Sequence, residues 1–345
     1  MRVLAWPAYR NDSNPYTGLL YSSIAAQEVQ VDEFRPWSLI TRRYDVWHVH
    51  WPERGFTAPK LGAAIARSLL LFLLITIARW RNVSIVWTVH NLKPHEQVYP
   101  WLERLVVSHF LRSLSGFIVL SPSSEMAVRK AHTELMRTPG VVIPHGHYMD
   151  SYPNQITSLE ARRKLGLGHN EVVLLFLGQI RNYKNVPHLL ETFRSLKLAH
   201  VRLIVAGESN DVALEEVIRI QVAEDQRVLL WLRRVPDEEI QVFMNASDLV
   251  VLPYSDVLNS GSAILALSFD RPVLVPELGA MKDLQAAFGP DIVRTYSGEL
   301  SPPALADALR RPEKPVQINE YVRQRLDWAA IAEATVVFYR NVIGG

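Results

Sequence analysis

Short apolar runs rich in valine, isoleucine and leucine alternate with longer stretches of helical period from one end of the chain to the other. Continuous apolar runs suit strands buried on both faces, and the helical stretches between them suit crossovers, so the alternation predicts parallel sheets joined by helices. Strands are expected in the first half at 3–6, 46–51, 85–90, 117–120 and 141–144, and in the second at 172–177, 202–206, 228–231, 249–253 and 273–276. Asp150-Ser151-Tyr152-Pro153-Asn154 has turn composition and marks the joint. The fold class expected is α/β, with Rossmann-like domains at 1–150 and 151–327 facing each other across a cleft. A last helix, 328–345, is expected to pack back toward the first domain. Ligands of such sheets bind beyond the carboxyl ends of the strands, which directs attention to the loops there.

One apolar segment breaks the pattern by its length. Residues 68–77, SLLLFLLITI, lie between Arg67 and Arg79-Trp80-Arg81 and are too few to span a hydrocarbon layer that needs about 20. Two alternatives stay open: a helix buried in the first domain, or one lying partly in a membrane interface with Trp80 and the arginines at headgroup level.

Composition narrows the function classes. At 345 residues two domains are the default. The absence of cysteine excludes a disulfide framework, cysteine-ligated zinc and thiol chemistry. The N-terminus lacks the apolar core and cleavage site of a signal peptide, so a cytoplasmic location is expected. Residues 1–160 carry 16 Lys/Arg against 12 Asp/Glu, a mild basic excess compatible with peripheral contact at the cytoplasmic face of an anionic inner membrane. No aromatic-basic interleaving of the nucleic-acid type occurs, and no nucleic-acid partner is expected. The dinucleotide fingerprint and the Walker P-loop are both absent, which disfavours hydride transfer and ATP-driven chemistry.

The candidate chemistry sits after the strands. In the second half, Gly178 begins a loop that brings Arg181 and Lys184 before a helix. A fork of donors and a mobile point charge suit the diphosphate of a leaving nucleotide, although a solvated basic loop has the same composition. Asn259-Ser260-Gly261-Ser262 precedes an apolar helical run, where free backbone N–H groups bind anions; helix capping alone also accounts for it. Gly207, Arg234 and Tyr254 complete the expected nucleotide-sugar contacts.

In the first half, Glu53, His90 and Glu96 are candidate general bases. Asn14, Tyr16, His50, Asn91 and His145 are candidate acceptor or sugar contacts, with a capping turn at Pro15 as the alternative for the loop around Asn14. The pairs His48/His50, His90/His95 and His145/His147 match no standard zinc spacing, and i, i+2 residues of a strand share a face, so core hydrogen bonding explains them as well. No metal is expected.

These elements together resemble a family. The glycine and lysine at 178 and 184, Val205-Ala206-Gly207-Glu208, Val235-Pro236-Asp237-Glu238-Glu239, Ala246-Ser247-Asp248-Leu249-Val250-Val251-Leu252-Pro253 and Arg271-Pro272-Val273 resemble, in order, the second domain of GT-B glycosyltransferases. Across the rest of the chain, Asn14-Pro15-Tyr16, His50-Trp51-Pro52-Glu53, His90-Asn91-Leu92, Pro94-His95-Glu96, His145-Gly146-His147-Tyr148 and Asn259-Ser260-Gly261 are similar to the GDP-mannose-dependent glycolipid mannosyltransferases of exopolysaccharide assembly. That resemblance implies transfer of mannose from GDP-mannose to a polyprenyl-diphosphate-linked oligosaccharide, with inversion and without a metal or other cofactor. Retaining relatives carry a Glu-x7-Glu pair where this chain has Val257 and Leu265, in agreement with inversion. Gln179 stands where an arginine is common, with Arg181 nearby to offset it. A UDP-sugar transferase, a nucleotide-sugar 2-epimerase and a non-catalytic nucleotide-sugar-binding subunit remain alternatives.

Overall fold

A computed structural model describes residues 1–10, 14–92, 98–310 and 318–344. Two parallel six-stranded sheets organise the chain. The first contains β1 (Arg2–Trp6), β2 (Gln30–Glu33), β3 (Val46–Val49), β4 (Ser84–Thr88), β5 (Gly116–Val119) and β6 (Gly140–Val142), in the order β2-β1-β3-β4-β5-β6. The second contains β7 (Val172–Leu177), β8 (Val201–Ala206), β9 (Val228–Trp231), β10 (Leu249–Val251), β11 (Val273–Pro276) and β12 (Val293–Tyr296), in the order β12-β11-β10-β7-β8-β9. The order reverses between β1 and β3 in one sheet and between β7 and β10 in the other. These are the switch points beyond which doubly wound sheets hold their ligands.

The central strands β7 and β10 are apolar without interruption, as strands buried on both faces are. Val173, Leu174, Leu175 and Phe176 of β7 are all fully buried, each stabilising the fold by roughly 1.5–3 kcal/mol relative to exposure. The two strands without a signal in the apolar pattern, β2 and β12, are both sheet edges. Gln30-Val31-Asp32-Glu33 and Val293-Arg294-Thr295-Tyr296 pair on one side only, with β1 and β11, and contain no continuous apolar run.

The chain divides into two compact units, Met1–Gly146 with the segment from Leu326 onward, and His147–Arg325. The division falls before the turn at 150–155 because Tyr148 already belongs to the second unit, its N–H donating to Ser268 Oγ at 2.9 Å. In the first unit the helix Trp328–Ile343, capped by Asp327 on the N–H of Ala330, buries Trp328, Ile331, Val336 and Tyr339. They pack in one core with Leu20 and Ile24 of the helix Tyr16–Ala25 and with Val3, Val46 and Val86 of the sheet. The apolar segment at 68–77 is the middle of a longer helix, Leu61–Trp80, which buries Ala64, Ser68, Leu71, Leu74, Ile75 and Ala78 and leaves Leu69, Leu70, Leu73 and Trp80 exposed.

Candidate functional site

In the second unit the site forms where β7 ends. Gly178 and Gly207, at the ends of β7 and β8, hold φ of +143° and +149°, a region that side chains rarely adopt. A Cβ on Gly207 would fall 2.0 Å from the Gly178 carbonyl oxygen, so Gly207 serves the close approach of two backbones. A Cβ on Gly178 would meet Lys184 Nζ and Ser262 Oγ, each at 3.2 Å. The lysine of the loop after β7 and the serine of the loop after β10 therefore converge on one backbone position at the switch point.

Local structure explains that convergence. Asn182–Lys184 form a 3-10 turn, and Asn185, at φ +54°, swings the chain into the helix Val186–Ser195. Asparagine tolerates that left-handed conformation better than most residues. The Tyr183 carbonyl accepts from both the N–H (2.9 Å) and Oγ (3.1 Å) of Ser255, tying the turn to the loop after β10. Lys184 Nζ lies 5.6 Å from the ring centroid of Tyr254. Burial lowers its pKa, opposed by Tyr183 and reinforced by Arg181. A desolvated ammonium beside hydroxyls favours an anionic ligand, which restores its charged form.

The other expected nucleotide-sugar residues divide by role. Arg181 Nε donates to Gln179 Oε1 at 3.1 Å, so the glutamine orients the cation that replaces its own missing charge. Ser260 Oγ accepts from the N–H of Ala263 at 3.2 Å and caps the helix Gly261–Ser268, so the capping alternative holds for this hydroxyl. Tyr254 is only 5% exposed and hydrogen-bonds Ser260 and Ser262, supporting the turn from beneath. Gly261 and Ser262 open the helix beside it, and Asn259 is partly exposed. Arg234 is exposed on the loop after β9, within electrostatic range of Tyr152.

In the first unit a different kind of site surrounds the ends of β3 and β4. His48 Nδ1 is 2.6 Å from the Tyr339 hydroxyl and its Nε2 is 2.7 Å from Thr88 Oγ1. His50 Nε2 is 2.7 Å from the Tyr21 hydroxyl and its Nδ1 is 3.0 Å from His90 Nε2. His48 and His50 are buried, their rings tilted by 32° with centroids 4.4 Å apart, and the Tyr21 and Tyr339 hydroxyls that they bond are hydrogen-bonded to each other. Burial holds His48 and His90 down to about 3, and His50 well below the usual imidazole range. His145, bonded through Nδ1 to the Gly146 carbonyl, is held to about 4, mainly by burial. Neutral imidazoles linked by neutral hydroxyls make this a network that relays hydrogen-bond direction to His90.

Beside it lies a cavity of about 40 Å³ lined by His50, Trp51, Glu53, His90 and Asn91, with walls from Val107, Phe110 and Leu111. It admits a water or a single hydroxyl rather than a sugar ring. Burial pushes the Glu53 carboxyl upward, against its backbone hydrogen bond and Arg54. Trp51 stacks on His90 with centroids 4.5 Å apart.

The first-unit candidates are placed as follows. His50 lines the cavity, with one ring nitrogen on the Tyr21 hydroxyl and the other on His90. Tyr16 is 2% exposed, its ring packed edge-on against His50, His90 and Trp328, and its pKa is raised by burial. Asn14 Oδ1 accepts from the N–H of Tyr16 at 2.9 Å, the helix-start role. Glu96 and His95 lie outside the described residues. Tyr21, Thr88 and Tyr339 are the network members that sequence reasoning missed; the strand alternation of His48 and His50 signalled the first shared face, but nothing local pointed to Tyr339.

The family model for glycosyl transferases group 1 matches residues 158–325, which contain the whole of the lysine-serine site. This segment is a group 1 glycosyltransferase domain. A GDP-mannose:glycolipid 4-beta-D-mannosyltransferase of Xanthomonas campestris pv. campestris is 29% identical over 335 residues, spanning 96% of this chain and 90% of that protein. Among solved structures, sucrose-phosphate synthase from Thermosynechococcus elongatus superposes with a TM-score of 0.74 at 18% identity, covering 99% of each chain. Anabaena HepE, in complex with UDP and glucose, gives 0.71 at 17% identity, covering 99% of this chain and 100% of that one. At such identities these structures establish the fold, GT-B, and not the substrate. The group 1 domain thus lies in the second unit, and the imidazole network in the first.

Proposed function

We propose that this glycosyltransferase moves mannose from GDP-mannose to a polyprenyl-diphosphate-linked oligosaccharide, with inversion, without a metal, at the cytoplasmic face of the inner membrane during exopolysaccharide assembly. The convergence of Lys184 Nζ and Ser262 Oγ on Gly178 is the observation that carries the donor half of this reading. The likeness to the Xanthomonas enzyme along 96% of the chain supports GDP-mannose and a glycolipid. Val257 and Leu265, where retaining relatives have carboxylates, support inversion.

In a direct displacement, the acceptor oxygen attacks the anomeric carbon, its proton passes to a base and the nucleoside diphosphate departs with its electrons. The second unit answers the departing charge: Arg181 and Lys184 supply cations, and the N-terminus of the helix Gly261–Ser268 supplies oriented N–H groups, which together do the work a divalent ion does elsewhere. The first unit supplies the base. Glu53 suits that role better than His90, because burial moves its carboxyl toward neutral pH, whereas it moves the imidazole away. His90, held by His50, orients the hydroxyl.

Calorimetric titration with GDP, UDP, ADP and GDP-mannose, all in EDTA, tests the reading together with product analysis on a lipid-linked acceptor. Selective GDP binding and mannosylated lipid are expected, with no conversion of donor alone. Preference for UDP would remove mannose, a requirement for divalent ion would remove the metal-free step, and epimerised donor in the absence of acceptor would replace transfer by epimerisation.

A further inference from the structure

We propose that the helices Leu61–Trp80 and Pro100–Arg112 form one face that docks on an anionic lipid bilayer, with both helices lying in the headgroup plane rather than crossing it. The inference deepens the membrane-side location just proposed, and it is tested without donor or acceptor, so it can fail while the transfer reaction stands.

Topology excludes a crossing. Leu61–Trp80 is long and apolar enough to span a bilayer, but β3 and β4, the strands before and after it, are hydrogen-bonded neighbours in parallel register, Val46 opposite Ser84 and Val49 opposite Trp87. A spanning helix would separate those strands by the thickness of the membrane and strip the packing from Leu71, Leu74, Ile75 and Ala78. The helix therefore keeps one face on its own unit, and its other face needs an explanation.

That other face is apolar where a solvated helix is polar. Leu69, Leu73 and Trp80 are 64%, 55% and 80% exposed, and Leu70 is exposed beside them. On the neighbouring helix Trp101 and Leu105 are 56% and 60% exposed. The two helices pack side by side and start at the same end: the Tyr99 hydroxyl donates to the Pro59 carbonyl at 2.8 Å, and Phe72 packs on His109 with centroids 4.3 Å apart. Trp101 thus marks the starting end of the face and Trp80 the far end, about 30 Å along a helix of this length.

Charge selects the occupant. The exposed ionic groups of the pair are arginines, Arg67, Arg79, Arg104 and Arg112, with Lys60 at the start. The single carboxylate of the two helices, Glu103, is 5% exposed and accepts from the N–H groups of Val98 and Tyr99, which caps the second helix. Glu134, bonded to Ser108 and within electrostatic range of Arg112, is a carboxylate from outside the pair beside its last turn. Exposed leucines on helices whose own exposed ionic groups are cations, with tryptophan at both ends, match anionic headgroups above an acyl boundary. A second copy of the chain would bring two cationic rims together.

The location also serves the reaction. The inner face of Pro100–Arg112 contributes Val107, Phe110 and Leu111 to the cavity that holds Glu53 and His90. A bilayer on its outer face would lie about one helix diameter, roughly 10 Å, from the candidate base.

The test is flotation of the full chain with vesicles of phosphatidylcholine alone or with 30% phosphatidylglycerol. Binding to the anionic vesicles only is expected, with partitioning reduced more than tenfold in Leu69→Glu/Leu73→Glu and about fivefold in each of Arg79→Gln and Arg112→Gln. GDP affinity and melting temperature should not move in these variants, which reports that they fold. On the unaltered protein, brominated lipid should quench tryptophan emission, and Trp80→Phe and Trp101→Phe should each remove part of that quenching. Absence of vesicle binding, equal binding by the double leucine variant, or a dimer that the leucine variant dissociates without change in vesicle binding would overturn the proposal.

Discussion

The two candidate sites occupy equivalent places, just beyond the switch points of their sheets, and are made of opposite materials. In the second unit two short loops, after β7 and after β10, supply cations and backbone N–H groups around two glycines held at positive φ. In the first, neutral imidazoles and hydroxyls from four distant segments close on one another inside a core. On the function proposed above, the difference follows from the task of each half. A departing diphosphate needs positive charge that is already in place, whereas deprotonating a hydroxyl needs a base whose charge is held back by burial.

The largest effect should come from removing the charge at the switch point of the second unit. Lys184→Met keeps the stem over Tyr254 and deletes the ammonium, and should lower kcat/KM for GDP-mannose about a hundredfold, roughly 3 kcal/mol. GDP affinity measured by calorimetry should fall with it. Glu53→Gln should lower turnover and leave GDP affinity unchanged. If Lys184→Met bound GDP as tightly as the unaltered protein, the diphosphate would have to be held elsewhere.

Acid should separate the units next. His48 titrates near 3 in the fold and near 6.5 when unfolded. Between those values the unfolded chain binds the extra proton, so stability is complete above about pH 6.5 and is lost as the pH falls toward 3. At pH 5 the loss is about 2 kcal/mol for His48. His50, also held well below its usual range by burial, adds in the same direction. Among the described residues no histidine of the second unit is buried. Hydrogen exchange at pH 5 should therefore open β3 and β4 well before β7 and β10, and equal opening in both units would contradict the buried neutral network.

The same contrast decides what was legible in the sequence. The glycine and lysine after β7 and the serine after β10 lie in motifs that survive as strings, because each turn after its strand needs a fixed spacing. Not every motif residue is functional. Asp248 accepts from the N–H of Val173 at 2.8 Å and pairs with Arg162 at 2.7 Å, and Arg271 donates to the Ser247 and Phe269 carbonyls, so these familiar letters hold the sheet and its helices in place. In the first unit His48, His50 and His90 could be singled out at strand ends, but their roles could not. Whether an imidazole faces a substrate or a tyrosine 291 residues away is set by packing, and no periodicity encodes that separation. The edge strands β2 and β12 escaped for a related reason: a strand paired on one side carries polar residues that break the apolar run.

Tyr339→Phe gives the smallest and most discriminating test. The hydroxyl it removes lies on His48 Nδ1 and also bonds the Tyr21 hydroxyl, in a core where the phenyl ring fits unchanged, so the loss is two buried hydrogen bonds, about 1 kcal/mol of stability each. The stability change alone would be equally consistent with mere packing. If the network transmits direction, losing the Tyr339 hydroxyl also loosens Tyr21, which bonds His50, and through it His90, and turnover should fall severalfold while GDP affinity stays constant. Rescue should follow the same chain: Thr88→Val, which takes the partner from the other ring nitrogen, should add little to Tyr339→Phe if the two hydroxyls act on one imidazole. Additive losses in stability with full turnover would instead make the histidines of the first unit core residues and leave Glu53 to act without them.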